Sequence, residues 1–398
     1  MDPLKNPFAP GAGAPPPALV GRDEIVRAAE VALHRTRAGR PEKSQMLLGL
    51  RGVGKTVLLN RIGDMAEALA FHVIHLEAPE GQRLAAYLAP ALKGTLVRLS
   101  RVDKARELTG RAVGALRGFA SAFQVSIGEV NIKVTAPPSA DSGNLEIDLP
   151  ELLVTVGRAA RAAETAVTIL LDEVQYLNEQ DLRALLVAMH RVSQGGLPII
   201  LFAAGLPQVA GLAGDAKSYA ERLFDYPDVG PLAMEAAEEA IKEPLVAEGV
   251  DIHGNALARI VAATHGYPYF LQEWGKHTWN LAETSPIDET DVEEASTRAT
   301  AALDQSFFRV RFDRLTPREQ DYLRAMAELG PGPHRSGDIA KLLARKVESL
   351  GPLRSGLIKK GMIWSPAHGD TAFTVPLFDE FMRREIPKWV PPIKRSKA

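Results

Sequence analysis

The eight residues Gly49-Leu50-Arg51-Gly52-Val53-Gly54-Lys55-Thr56 constrain this chain more than any other stretch. They match the pattern GxxxxGK[ST]. The run that leads into them, residues 45–50 (QMLLGL), reads as a short buried strand that shares Gly49 and Leu50 with the motif, and residues 57–70 after them have helical periodicity. In that strand–loop–helix setting, glycines let a loop curl until its backbone N–H groups point at phosphate oxygens, and the helix N-terminus adds its positive end. The pattern makes Gly49, Arg51, Gly52, Val53, Gly54, Lys55, Thr56 and Val57 a cradle for nucleotide phosphates. Lys55 is expected to reach the β and γ phosphates, and the Thr56 hydroxyl to ligate Mg²⁺.

A second motif complements the first. The apolar residues 168–171 (TILL) end in Asp172 and Glu173. A carboxylate at that strand end can hold Mg²⁺, which gives Thr56 and Asp172 the metal role. A second acid beside it can polarise an attacking water, which makes Glu173 a candidate general base. Together the Walker A and Walker B motifs predict a P-loop ATPase that binds and hydrolyses ATP with Mg²⁺.

The rest of the chain narrows the setting. The 398 residues contain no cysteine, which excludes disulfides, thiolate nucleophiles and cysteine-ligated zinc. No apolar run approaches the roughly 20 residues that span a bilayer, so no membrane contact is expected and a cytoplasmic location is the default. Residues 1–17, rich in Pro, Gly and Ala, read as a flexible arm. Strand and helix patterns alternate over 18–230, which implies an α/β core with a parallel sheet and helices on both faces. Within it, 92–136 reads as an inserted basic amphipathic helix followed by a β-hairpin, and 150–163 as a helix. Residues 231–305 are helical only, with a capping box expected at Thr290 and Glu293. The stronger start signal Thr316-Pro317-Arg318-Glu319 opens a further domain over 306–388, followed by a basic tail, 389–398. Trp274 and Trp279 read as core.

These residues resemble the AAA+ superfamily, in its prokaryotic origin-recognition-like branch with a C-terminal winged helix. Val20-Gly21-Arg22-Asp23-Glu24 is similar to the box beside the adenine, which implies nucleotide contacts at Gly21 and Arg22. The segment 197–207 looks like the sensor-1 strand, and Glu221-Arg222 like the segment carrying an arginine finger, which implies a catalytic role for Arg222. Thr264-His265-Gly266-Tyr267-Pro268 resembles the glycine–proline segment of the helical lid, which brings Pro268 to the nucleotide. Two features depart from the family. The sensor-1 strand ends in Ala203, Ala204 and Gly205, with Gln208 the nearest polar substitute, and no arginine stands in 266–269. Slow or partner-stimulated hydrolysis is therefore expected, and a homo-oligomer is one way to supply the missing groups.

Charge points to a partner. Residues 311–398 hold 17 basic and 10 acidic residues, whereas 231–310 hold 5 and 14. A winged helix over 312–388 would place Arg345, Lys346, Arg354, Lys359 and Lys360 at or beside its third helix, where such domains meet double-stranded DNA. Two readings stay open. One is a DNA-associated ATP switch. The other is a STAND-type signalling or defence ATPase, or a slow nucleotide-binding scaffold, whose winged helix contacts protein.

Overall fold

The computed structural model describes residues 1–11, 13–128 and 139–391. They fall into two packing units: 22–49 with 54–229, and 1–21 with 50–53 and 230–398.

The first unit is built on a parallel sheet. Its strands are β1 (Ser44–Leu48), β2 (His72–Glu77), β3 (Val167–Asp172), β4 (Ile199–Gly205) and β5 (Phe224–Asp225), in spatial order β2-β3-β4-β1-β5. β1 and β4 are buried along their whole length, as expected of central strands covered on both faces. The covering helices are α1 (Asp23–Arg37), α2 (Lys55–Ala68), α3 (Leu84–Leu99), α4 (Arg106–Ala122), α5 (Leu145–Ala162), α6 (Glu179–Gln194), α7 (Val209–Ala216) and α8 (Ala220–Leu223). The register pairs Leu48 with Gly205 and Leu171 with Ala203, so the C-terminal ends of β1, β4 and β3 finish side by side.

The expected insert differs from the sequence reading. The amphipathic helix read at the start of 92–136 is two helices, α3 and α4, with a 3₁₀ turn at Asp103–Ala105 between them. No strand forms over 123–128, because α4 ends at Ala122 and Phe123 folds back on Phe119, ring centroids 4.7 Å apart. The remainder of the expected hairpin, 129–138, lies outside the described residues. Three basic residues of the insert hold exposed ion pairs: Lys104 with Glu164, Arg106 with Asp103 and Arg111 with Glu107. The helix expected over 150–163 starts earlier, at Leu145, because Asn144 caps it by accepting from the Glu146 N–H.

The second unit is mostly helical. It runs through α9 (Met234–Ala247), α10 (Gly254–Thr264), α11 (Pro268–Leu281), α12 (Glu289–Leu303), α13 (Arg309–Phe312), α14 (Pro317–Glu328), β6 (His334–Arg335), α15 (Ser336–Leu342), α16 (Val347–Lys359), β7 (Ile363–Trp364), β8 (Asp370–Phe373) and α17 (Phe378–Glu385). The small sheet β6-β8-β7 is antiparallel. α12 is capped by Asp288 and Asp291, not by Thr290 and Glu293. Asp288 is extended, and its carboxylate accepts from the Thr290 and Asp291 N–H groups, which leaves Thr290 inside the first turn. The capping box of α14, Thr316 with Glu319, stands as read.

No packing boundary falls between 305 and 306. α12 continues through a π-helical turn, Asp304–Phe308, into α13. Two fork-to-fork pairs then fasten α17 back to this rod: Arg309 to Glu385 at 2.8 and 2.6 Å, and Arg384 to Asp304 at 2.8 Å twice.

Residues 1–17 are not a loose arm. Trp279 Nε1 donates to Asp2 O at 2.8 Å, and the Asn6 amide donates to Lys276 O and Asn280 Oδ1. Phe8 is buried against Gly275, where a Cβ would stand 2.5 Å from the ring. Composition registers the Pro/Gly content but not this single aromatic anchor. Trp274 and Trp279 are core, 3% and 2% exposed. Phe8→Ala should cost about 3 kcal/mol, the usual scale for emptying a buried aromatic site, and thermal unfolding will register it. An unchanged melting temperature would mean that the segment contributes nothing.

Candidate functional site

The predicted phosphate loop leaves β1 and enters α2. Gly49 N–H donates to Gly205 O at 3.1 Å, which fastens the loop start to the end of β4. Gly52 and Gly54 have φ of 82° and 92°, values that side-chain-bearing residues resist, and Gly54 is the N-cap of α2. Lys55 and Thr56 therefore open the helix. Lys55 Nζ donates to Gly49 O at 2.9 Å, so the ammonium folds back over its own loop. Val57 sits half-buried in the same turn.

Thr56 and Asp172 meet. The Thr56 hydroxyl donates to Asp172 Oδ2 at 2.6 Å, while Asp172 Oδ1 accepts from the Glu173 N–H at 2.7 Å. Burial pushes the Asp172 carboxyl above its ordinary value, against the opposing pull of these two bonds. A hydroxyl and a carboxylate side by side suit a hard, oxygen-seeking cation. Mg²⁺ takes few protein ligands and fills its octahedron with phosphate oxygens and water, so a pair of this kind is enough to anchor it. Glu173 follows with φ 54° and ψ 37°, a left-handed conformation uncommon for a side-chain-bearing residue.

Other predicted contacts are placed differently. The Arg51 N–H, which the loop reading aimed at phosphate, donates to Thr374 O at 3.2 Å. Tyr269 N–H donates to Gly52 O at 3.1 Å, which brings the neighbouring Pro268, first residue of α11, to the loop. Val53 is buried. Gly21 has φ 66°, and a Cβ there would stand 2.7 Å from Ala236 Cβ. Arg22 is buried at the start of α1; desolvation lowers the pKa of its guanidinium, against the pull of the Asp228 carboxylate. Arg222 is exposed on α8, and its side chain has no hydrogen bond or ion pair among the described residues.

Of the five basic residues assigned to DNA, two bond to other parts of the chain, Arg354 half-buried and Lys360 at the surface. Arg354 Nε donates to Thr371 Oγ1 at 2.9 Å, and its Nη2 to Ser365 Oγ and Asp370 O at 2.8 Å, which ties α16 to the β7–β8 hairpin. Lys360 Nζ donates to Arg314 O and pairs with Glu319 at 2.7 Å. Although burial raises the Glu319 carboxyl, Lys360 and the Thr316 bonds outweigh it and hold that carboxyl below its usual range. Helix position alone could not reveal either commitment. Arg345, Lys346 and Lys359 are exposed. The tail residues 392–398 lie outside the described residues.

Sequence reasoning missed Gln175. It sits two residues past Glu173, in the 3₁₀ turn Val174–Tyr176, and its amide donates to the Glu173 carboxylate. The signal was an amide side chain two positions beyond the paired acids.

Comparison with known proteins agrees with the motifs. Residues 18–202 match the AAA ATPase domain. Residues 305–382 match a domain of unknown function, DUF8462. No curated protein matches the sequence. Among solved structures, the Walker-type ATPase PABY2304 of Pyrococcus abyssi is similar over 92% of this chain and 96% of its own, at 19% identity and a TM-score of 0.58. The Orc1 protein of Aeropyrum pernix, solved in complex with DNA, matches over 93% and 94% at 15% identity and a TM-score of 0.48. The RuvB Holliday junction branch migration motor of Thermotoga maritima matches over 93% and 96% at 15% identity and 0.44. No helix among the described residues is long and apolar enough to cross a membrane. The phosphate loop and the paired acids Asp172 and Glu173 both lie within residues 18–202, the segment that matches the AAA ATPase domain.

Proposed function

We propose that the protein is an ATP-driven switch that acts on double-stranded DNA through its C-terminal segment. The observation that carries the ATPase half is the contact of Thr56 with Asp172 at the mouth of the loop, with Lys55 and Glu173 as their immediate neighbours. In this reading the loop N–H groups and Lys55 hold the phosphates, and Thr56 and Asp172 ligate Mg²⁺. When bound, the cation neutralises charge on the β and γ phosphates. Glu173 accepts a proton from the attacking water as its oxygen bonds to the γ phosphorus and the bridging oxygen leaves with ADP. The end of β4 offers no polar side chain of its own, which favours slow turnover. Arg222, exposed on α8, is the candidate for an arginine finger supplied in trans to a neighbouring copy.

Two outcomes test this half. Glu173→Gln should keep MgATP binding and lower turnover by about 10²-fold or more, the usual scale for losing a general base. Asp172→Asn has a signed effect on stability. A raised carboxyl favours folding most below the unfolded value near 4 and loses that contribution as pH rises through the folded value. At pH 7 without ligand, Asp172→Asn should therefore raise the melting temperature, while the upward shift caused by MgATP disappears. Calorimetry with and without MgATP reads both.

The DNA half rests on charge and on the order α14, β6, α15, α16, β7, β8, α17, which supports reading 312–388 as a winged helix. Its candidate phosphate contacts reduce to Arg345, Lys346 and Lys359. Replacing all three by Ala should weaken duplex binding and flatten the plot of log affinity against log salt by about 2 to 3, since each neutralised phosphate adds about 0.9 to that slope. A wild-type protein that binds no duplex at low salt would favour the second reading, a protein partner. The internal commitment of Arg354 and Lys360 already leans that way.

A further inference from the structure

The end of β4 carries Ala203, Ala204 and Gly205, yet a polar side chain reaches it from another element. Gln175 Oε1 accepts from the Leu206 N–H at 3.1 Å, while Gln175 Nε2 donates to the Glu173 carboxylate. The orientation of this amide follows from its partners. A backbone N–H can only donate, so the amide oxygen must face Leu206 and the NH₂ must face Glu173. Gly205 leaves the room: a Cβ there would stand 3.0 Å from Gln175 Oε1 and 2.6 Å from Val174 Cγ1. Gln208, the substitute suggested by the sequence, has its Oε1 buried with no hydrogen-bond partner among the described residues.

The turn itself is held. Tyr176 N–H donates to Glu173 O at 2.9 Å and Leu177 N–H to Val174 O at 3.1 Å. Glu173 takes its left-handed conformation at the start of this turn. One amide thus joins the carboxylate of Glu173 to the peptide that follows β4.

We propose that Gln175 is a positioning residue for hydrolysis. It aims the Glu173 carboxylate and supplies, from the turn after β3, the polar contact that the end of β4 lacks. A shift of that strand end relative to the turn would pass through Gln175 to the base. The proposal rests on the reading of Glu173 as general base, so its test separates the two.

Steady-state turnover of the full chain should be measured for Gln175→Leu, Gln175→Asn and Glu173→Gln, and for Gln175→Leu combined with Glu173→Gln. Leu keeps the bulk without the amide, and Asn keeps the amide but is one methylene too short for both partners. Each single change at 175 should lower kcat about 10- to 100-fold, the scale of a misaimed catalytic group, with KM and the MgATP-induced melting shift unchanged. Gly205→Ala, which crowds the amide, should reproduce the loss with Gln175 intact. In the Glu173→Gln background, Gln175→Leu should cost nothing further, because the two act as one unit. Normal kcat in both Gln175 variants, a rise in KM at constant kcat, or a fully additive double variant would each overturn the proposal. Glu173→Gln at wild-type turnover would instead overturn the assignment of the base.

Discussion

The parallel pairing of β1 with β4 and of β4 with β3 is the constraint on which the site depends. Parallel strands in register end on the same edge, so the residues that follow them are forced together. Gly49, Asp172 and Gly205 lie far apart in the chain and adjacent in the sheet for that reason. The hydrogen bond from Gly49 N–H to Gly205 O extends the ladder one step into the loop. A register slip of one residue would carry Asp172 away from Thr56 and exchange the side chains that face each layer of helices.

Around that edge, the backbone carries much of the placement. Gly52 and Gly54 curl the loop in conformations that other residues resist, and Glu173 takes a left-handed turn that sets where its carboxylate starts. Side-chain contacts then join these pieces, among them Thr56 to Asp172, Lys55 to Gly49 and Gln175 to Glu173. Asp172 is the least comfortable of these groups. Its burial disfavours the charge that a cation would require, so ligand binding and folding stability draw on the same carboxylate.

Much of this was legible in the sequence, and the pattern of misses is physical. The two motifs pointed to Lys55, Thr56, Asp172 and Glu173 because each follows a strand of the same sheet, and the structure brings Thr56 and Asp172 into contact. Strands and their order of burial followed from short apolar runs bounded by turns. Tertiary commitments were not legible. Phe8 reads as one residue in a proline-rich leader, and only its burial against Gly275 reveals an anchor. The helix over 92–119 has one period but breaks at 103–105, since periodicity does not register a turn that keeps the same face buried. Asp288 takes the cap from Thr290 because both are good caps and only the local backbone decides between them. Gln175 carries no motif, and its role depends on a peptide N–H thirty-one residues away.

The two internally bonded cations of the C-terminal segment, half-buried Arg354 and exposed Lys360, have unequal electrostatic fates. Arg354 gives its N–H groups to Thr371, Ser365 and the Asp370 carbonyl, all uncharged acceptors, so its positive charge is held in place but not cancelled. Lys360 meets the Glu319 carboxylate, and the pair presents almost no field at a distance. An anion approaching this face would feel the charge of Arg354 at a distance and that of the Lys360–Glu319 pair hardly at all.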